Sequence, residues 1–368
     1  MGIAANSLFQ AQFVANLSAL LPELGAKTPL WLFNHSDDVW AQDFIEPGYS
    51  SIPGPDGPIS IRIHIRSGQD DRVAGRQVFE WVRGTGVGAV QSLEGSGNDL
   101  HSMGNVETIP PYELKGKKYP AGRIIIGSRN NWQHHNLPFF QAQVLQDPVI
   151  LDTEWLFIGH VDEFIQFLPA DNERGWVLMV DDPIAGIDMF EKLITEGYGD
   201  VKAFSRAQDI WQDAEQGFNI TVPQYTISKL LKAPGFIDLN KECAKRIEAN
   251  LEIVKKATGV TDGEIFRLPA LLEQARFRGN ETLRAGAVYP GIINGVVLND
   301  GHYLAPDPWG PIINGTDVLA EDARMMYKRA ANMNATFIDD WLSHHGYYGE
   351  VHCGTNTIRK ADAPWWKY

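Results

Sequence analysis

Short apolar, β-rich runs recur along the chain with helical or loop segments between them, and this alternation is what most narrows the fold. Arg123 to Gly127, Trp155 to Ile158, Gly175 to Val180 and Thr336 to Ile338 read as strands. Strands alternating with helical patterns predict an α/β protein. The clearest helix is expected from about Leu239 to Lys256, where Cys243, Ile247, Leu251 and Val254 recur near helical spacing and Gly259 marks the stop. Cys243 falls on that apolar stripe and reads as a small buried hydrophobe. Leu8 to Leu24 forms a second amphipathic pattern. Proline and glycine cluster from Ile52 to Pro58 and from Tyr303 to Ile312, but neither stretch is long or polar enough for a linker. With no repeat or low-complexity tract, residues 1–368 are expected to form one domain.

Charge narrows the partners. A formal net charge of -14 disfavours nucleic acid, whose binders carry a basic face, and suits a cationic ligand. No run of about 18 apolar residues offers a membrane span, and Met1 to Asn6 lacks the basic and apolar regions of a signal peptide. Two cysteines make no disulfide framework. Asn-x-Ser/Thr sequons at Asn16, Asn34, Asn219, Asn280, Asn314 and Asn334 tilt the expectation toward the secretory pathway, with the cytoplasm as the alternative.

The other cysteine lies in Gly349-Glu350-Val351-His352-Cys353-Gly354-Thr355-Asn356. Gly354 permits close backbone approach, and Thr355 and Asn356 supply donors, as a nucleophilic thiolate requires. His352 would point away from Cys353 if this segment is extended, so it is a poor base. His160, in Gly159-His160-Val161-Asp162-Glu163, is the better one, and its i, i+2 spacing to Asp162 would put both side chains on one face of a strand. In Trp40-Ala41-Gln42-Asp43-Phe44-Ile45-Glu46 an indole stands near carboxylates, the means of holding a planar cation. His134-His135 and His344-His345 are adjacent pairs whose side chains diverge, unlike a zinc site. Gly84 to Gly88 lacks the Lys-Ser/Thr of a P-loop and reads as a turn, and no serine sits in a nucleophile elbow.

Together, Trp40-x-x-Asp43, the His160 and Cys353 segments, Met103-Gly104-Asn105-Val106-Glu107, Lys117 to Gly127, Trp309 to Gly315, Phe337-Ile338-Asp339-Asp340 and Trp365-Trp366 resemble the catalytic domain of the peptidylarginine deiminases. The resemblance implies a five-bladed, pseudo-symmetric α/β propeller of the guanidine-modifying (pentein) superfamily. It implies hydrolysis of arginine in peptides or proteins to citrulline and ammonia, with Cys353 as nucleophile, His160 as acid and base, and Asp43 and Asp162 on the two sides of the guanidinium. Trp40 would wall the pocket, and Arg72 would grip a peptide carbonyl. It further implies one calcium site on Gln42, Glu46, Glu107 and the carbonyls of Met103 and Val106, an all-oxygen set suited to a hard cation. A second family site would be absent, because Phe44, Ser67 and Gly68 stand where its ligands belong and Asp71 is left alone. No organic cofactor is implied, nor are the immunoglobulin-like domains of vertebrate members. Two other readings stay open: hydrolysis of free arginine or agmatine, and non-catalytic binding of arginine-rich partners.

Overall fold

The computed structural model describes residues 8–359 except 29, 94, 131, 209, 214–217 and 278–279. The Trp365-Trp366 pair, Met1 to Asn6 and part of the hairpin around Asn280 lie outside the described residues or have undescribed side chains. Among the described residues, four three-stranded sheets repeat one connectivity: an antiparallel hairpin, then a helical crossover to a third strand parallel to the second. They comprise Ile45–Gly54, Gly57–Arg66 and Val87–Val90; then Val106–Ile109, Arg123–Ser128 and Val149–Asp152; then Ile165–Pro169, Trp176–Asp182 and Ile265–Pro269; and finally Val296–Asn299, His302–Pro306 and Asn334–Ile338. The α/β expectation therefore holds. A parallel return needs a crossover, and helices such as Leu137–Ala142 and Val318–Ala331 supply it.

The first strand of each sheet faces one central cavity of about 1330 Å³, lined among others by Glu46, Glu107, Gln166 and Val297. This shared inner face puts residues from distant sequence segments side by side. The outer layer is built by helices such as Phe236–Thr258, which extends the expected helix by two or three residues at each end. Its inner stripe, Cys243, Ile247, Leu251 and Val254, is buried against Ile125, Leu151 and Leu178. Each aliphatic side chain buried this way contributes roughly 1.5–3 kcal/mol. The helix ends at Gly259, whose φ of +73° is the left-handed conformation glycine adopts without a Cβ penalty. The Leu8–Glu23 helix buries Phe13 and Leu17 against Val296, Leu304 and Ile338.

One expected strand is absent. Trp155 to Ile158 forms a turn-rich connection whose sheet-like contact is a bridge from Leu156 to Ala285. Its apolar character serves packing, since Trp155 and Leu156 are buried in the same cluster as Val161 and Phe164. No helix among the described residues is long and apolar enough to cross a membrane.

Candidate active site

Three loops meet beside the central cavity, which Glu46, Asp162 and His352 reach, while Cys353 lines a separate small pocket with Asn294 and Glu350. The His160 loop opens at Gly159, whose φ is +89° and where a Cβ would collide with the Arg129 guanidinium. Arg129 in turn donates to the carbonyls of Leu156, Phe157 and Ile158, fixing the approach to the loop. Glu163 then bends back so that its carboxylate accepts from the N–H groups of Gly159 (2.8 Å) and His160 (2.7 Å). This capping box winds Val161–Glu163 into a single helical turn. The expected strand face for His160 and Asp162 is thus corrected: local carboxylate capping overrides extended pairing, and Asp162 projects from the turn instead.

The Asp43 loop is a short helix, Ala41–Phe44, following Trp40. It is stitched to the cysteine loop by Gln42 N–H donating to the Cys353 carbonyl (3.1 Å) and by the Asn356 amide donating to the Ile45 carbonyl (2.8 Å). Trp40 packs edge-on to His344 and closely over Gly349. Around Cys353 the chain is coiled, with Gly354 N–H bonded to the Glu350 carbonyl and Thr355 N–H to that of His352. The premise of an extended segment therefore fails. The coil carries His352 onto Asp162, with Nδ1 2.8 Å from Oδ2, while Nε2 faces Glu107 at 3.7 Å. Sequence reasoning set His352 aside because a neighbour's direction depends on backbone conformation, which the motif does not reveal.

His160, Asp162 and Cys353 are buried, and Asp43 is largely so. His160 Nε2 bonds the Asp99 carbonyl at 3.1 Å, which holds the neutral ring's proton on that nitrogen and leaves Nδ1 as a free lone pair. Nδ1, Asp43 Oδ1 and Asp162 Oδ1 are all buried without a hydrogen-bond partner. A Cβ on Gly104 would fall within 2.8 Å of both His160 Nδ1 and Asp43 Oδ1, so these two atoms converge on one point. Burial opposes charge on His160, but Asp43, Asp162 and Glu163 outweigh it and raise its pKa. Burial, then Asp162 and Asp43, push the Cys353 thiol well above its ordinary value. Burial also raises Asp43, against the pull of Arg72. The unpaired oxygens of Asp43 and Asp162 beside the thiol suit a cation with several N–H donors, and such a cation would also offset the carboxylate pull that raises His160.

Arg72 occupies part of that role in this structure. Its guanidinium pairs with Asp38 (2.6 Å) and Asp43 (3.3 Å) and donates to Gln69 (2.8 Å). The side chain is therefore at the site, bound to a carboxylate.

Among the expected calcium ligands, Gln42 donates to Glu46 (2.7 Å), and Glu46 and Glu107 both line the cavity. Burial and then the Glu107 charge raise Glu46 well above the carboxylate range, and burial brings Glu107 to about 7. Glu107 Oε1 has no hydrogen-bond partner. Met103 and Val106 bound the helical turn leading into Glu107, and the Met103 carbonyl, which accepts from Val106 N–H, keeps a second lone pair. Two crowded carboxylates, offset only in part by His352, offer oxygen ligands that fit a hard divalent cation. Glu107, Asp162 and His352 also bring potential ligand atoms within 4.8 Å of one another. Where the second family site would lie, Phe44 is buried among Phe33, Ile45 and Val78, and Ser67 accepts from Gln69 N–H.

The discounted motifs have structural partners. His134 and His135 turn to the carbonyls of Ser102 and Leu93, and His345 bonds Glu350 (2.8 Å). Gly84 and Val87 close a turn by mutual backbone hydrogen bonds. A residue without any sequence signal, Asn294, accepts from the Cys353 thiol and backbone N–H.

A sequence profile described as Protein-arginine deiminase (PAD) matches residues 2–367. Protein-arginine deiminase type-4 of Rattus norvegicus is 36% identical over 345 residues, covering 90% of this chain and 48% of its own. Protein-arginine deiminase type-3 of Homo sapiens is 32% identical over 373 residues, covering 96% of this chain and 52% of its own. The chain thus spans about half the length of the curated relatives it matches. The solved structure of C. jejuni agmatine deiminase aligns with a TM-score of 0.44 at 11% identity, covering 94% of this chain and 84% of that one.

Proposed function

The chain belongs to the protein-arginine deiminase family, and from that premise we propose that it hydrolyses arginine within peptides or proteins to citrulline and ammonia. The observation that carries this reading is a set of buried, unpartnered atoms: Asp43 Oδ1 and Asp162 Oδ1, from the two carboxylates that act on the Cys353 thiol, and His160 Nδ1, which converges with Asp43 Oδ1. Asp43 and Asp162 clamp the guanidinium from two sides and orient its central carbon toward Sγ. The cation cancels the carboxylate repulsion that keeps the thiol protonated, and the thiol proton passes to His160 Nδ1.

The thiolate then bonds to the guanidinium carbon. His160 returns its proton to one nitrogen as that C–N bond breaks, so ammonia leaves and a cationic thiouronium remains on Cys353. Water attacks the same carbon while His160 Nδ1 takes one of its protons. The C–S bond breaks, the hydroxyl proton goes back to sulfur, and the ureido product departs. His160 gives its remaining proton to ammonia or solvent, restoring the resting site.

Trp40 forms a wall of the pocket, and Arg72 moves from Asp43 to a peptide carbonyl when substrate binds. Gln42, Glu46, Glu107 and the carbonyls of Met103 and Val106 would hold one calcium ion, whose charge would offset the two buried carboxylates. The four repeats among the described residues would form four blades of a five-bladed, pseudo-symmetric propeller. Asn34, Asn219, Asn314 and Asn334 are exposed, as glycosylation of their sequons requires.

The test is citrulline release from an arginine blocked at both amine and carboxyl, compared with free arginine and agmatine, each with calcium and with excess chelator. Preferred turnover of the blocked substrate, abolished by Cys353→Ala, is expected. Preference for free arginine or agmatine would favour a small-molecule guanidine hydrolase instead, and no turnover under any condition would leave a binding protein.

A further inference from the structure

Asn294 lies in the loop Gly291 to Gly295, between the His160 and Cys353 segments in space but far from both in sequence. It is 3% exposed. Its side-chain oxygen accepts from Cys353 N–H at 3.4 Å and from the Cys353 thiol at 3.3 Å. Its amide nitrogen donates to the Asp162 carbonyl at 3.2 Å, and its own carbonyl accepts from His352 N–H at 3.0 Å. One residue therefore links the backbone of a guanidinium-binding carboxylate to the sulfur that would attack.

The amide cannot be turned over at will. A backbone N–H demands an acceptor and a backbone carbonyl demands a donor, so the partners at Cys353 and Asp162 fix which end is oxygen. The loop carrying it is equally fixed. Gly291 N–H donates to the Glu350 carboxylate (3.0 Å), and Gly295 N–H donates to the Tyr303 hydroxyl (2.8 Å). That hydroxyl shares its proton between the carbonyls of Ile292 and Ile293, and Tyr303 is completely buried. A Cβ at Gly295 would strike the Leu304 carbonyl and the Tyr303 ring, so the backbone is packed tightly into its support.

An oxygen held at 3.3 Å stabilises S–H and repels S⁻. We propose that Asn294 is a positioning residue that holds the Cys353 sulfur by accepting from its S–H and ties it to the Asp162 loop. This rests on the deiminase reading and goes beyond it in assigning the placement of the sulfur to a residue outside the acid, base and clamp. The benefit is chemical: a buried sulfur whose S–H is held by a buried acceptor is shielded from oxidation and stray alkylation.

The experiment measures alkylation of Cys353 by iodoacetamide at pH 8, resolved by mass spectrometry with Cys243 as internal reference, beside kcat and KM on blocked arginine. Asn294→Ala should alkylate Cys353 about threefold to tenfold faster, since one unit of thiol acidity is tenfold in thiolate, softened by lower nucleophilicity. The same variant should lose kcat by more than tenfold. Asn294→Asp keeps the side-chain shape and adds a negative charge beside sulfur, so it should slow alkylation at least tenfold. Unchanged or slower alkylation in Asn294→Ala would overturn the proposal. So would parallel acceleration at Cys353 and Cys243, which marks loosened structure alone. Absence of wild-type turnover on every guanidine would defeat the deiminase reading, while the alkylation rates would still decide whether Asn294 holds the thiol.

Discussion

Replacing Gly104 with alanine tests the convergence of His160 and Asp43 directly, because it adds one methyl group between the two atoms meant for substrate. The new Cβ would lie 2.7 Å from His160 Nδ1, 2.8 Å from Asp43 Oδ1 and 3.1 Å from His160 Cε1. Ordinary contact begins at 3.4 Å, so the imidazole must retreat by about 0.7 Å and the carboxylate by about 0.6 Å. Gly104 has no left-handed φ, so the strain is purely steric. Overpacking of this kind costs about 1–3 kcal/mol, which predicts a melting temperature lower by a few degrees and a folded protein. Displacement of the proposed catalytic groups by about 0.6–0.7 Å predicts a loss of roughly 10-fold to 10²-fold in kcat/KM. Citrulline release from blocked arginine, alongside circular dichroism and thermal melting, reads both effects. Gly84→Ala is the control, as a Cβ there meets nothing within 4 Å. A Gly104→Ala enzyme folded and within threefold of wild type would refute the placement of His160 and Asp43 around one reaction centre.

Stability should fall as pH rises through neutrality. Burial holds Glu107 and Glu163 at about 7 and Glu350 at about 8, above their unfolded values, so each contributes stability below about pH 4.5 that is lost as pH climbs through 7 to 8. His344 and His345, lowered by burial to about 3 and about 4, act oppositely and destabilise below pH 6.5. Thermal melts from pH 4 to 9 should therefore peak on the acid side of neutrality, with Glu107→Gln flattening the alkaline decline; a melting temperature still rising at pH 8 would contradict this. Calcium should raise the melting temperature more at pH 8 than at pH 5.5, since protonated Glu46 and Glu107 are poor ligands, and Glu107→Gln should remove the effect; an equal shift at both pH values would place the ion elsewhere. Arg72→Ala should raise KM for blocked arginine while sparing free arginine, and an equal effect on both would assign Arg72 to Asp43 alone.

Much was legible from residue types and spacing. The helical period around Cys243 foretold a buried stripe, and the stop at Gly259 follows from a glycine-specific backbone angle. The rarity of cysteine singled out Cys353, and the sequence motifs containing His160, Asp162 and Asp43 marked the segments that the structure gathers around it. The apolar run Trp155 to Ile158 misled because burial and strand formation share a composition, and only packing separates them. The His160 turn escaped notice because its cause is one carboxylate, Glu163, reaching back to two backbone N–H groups.

What the sequence determined by itself was the chemistry on offer: an α/β chain, acidic overall, with a thiol, an imidazole and paired carboxylates in motifs that resemble one family. What only the tertiary structure decided were directions and partners. His352 turns to Asp162, Arg72 lies on Asp43, and Asn294 accepts from the Cys353 thiol, across separations of 190, 29 and 59 residues. Local propensity acts over a few residues, whereas these contacts are set by how four sheets pack their inner strands around one cavity. No spacing rule spans that distance, because the loops between are free to vary while the packed strands fix where their ends meet.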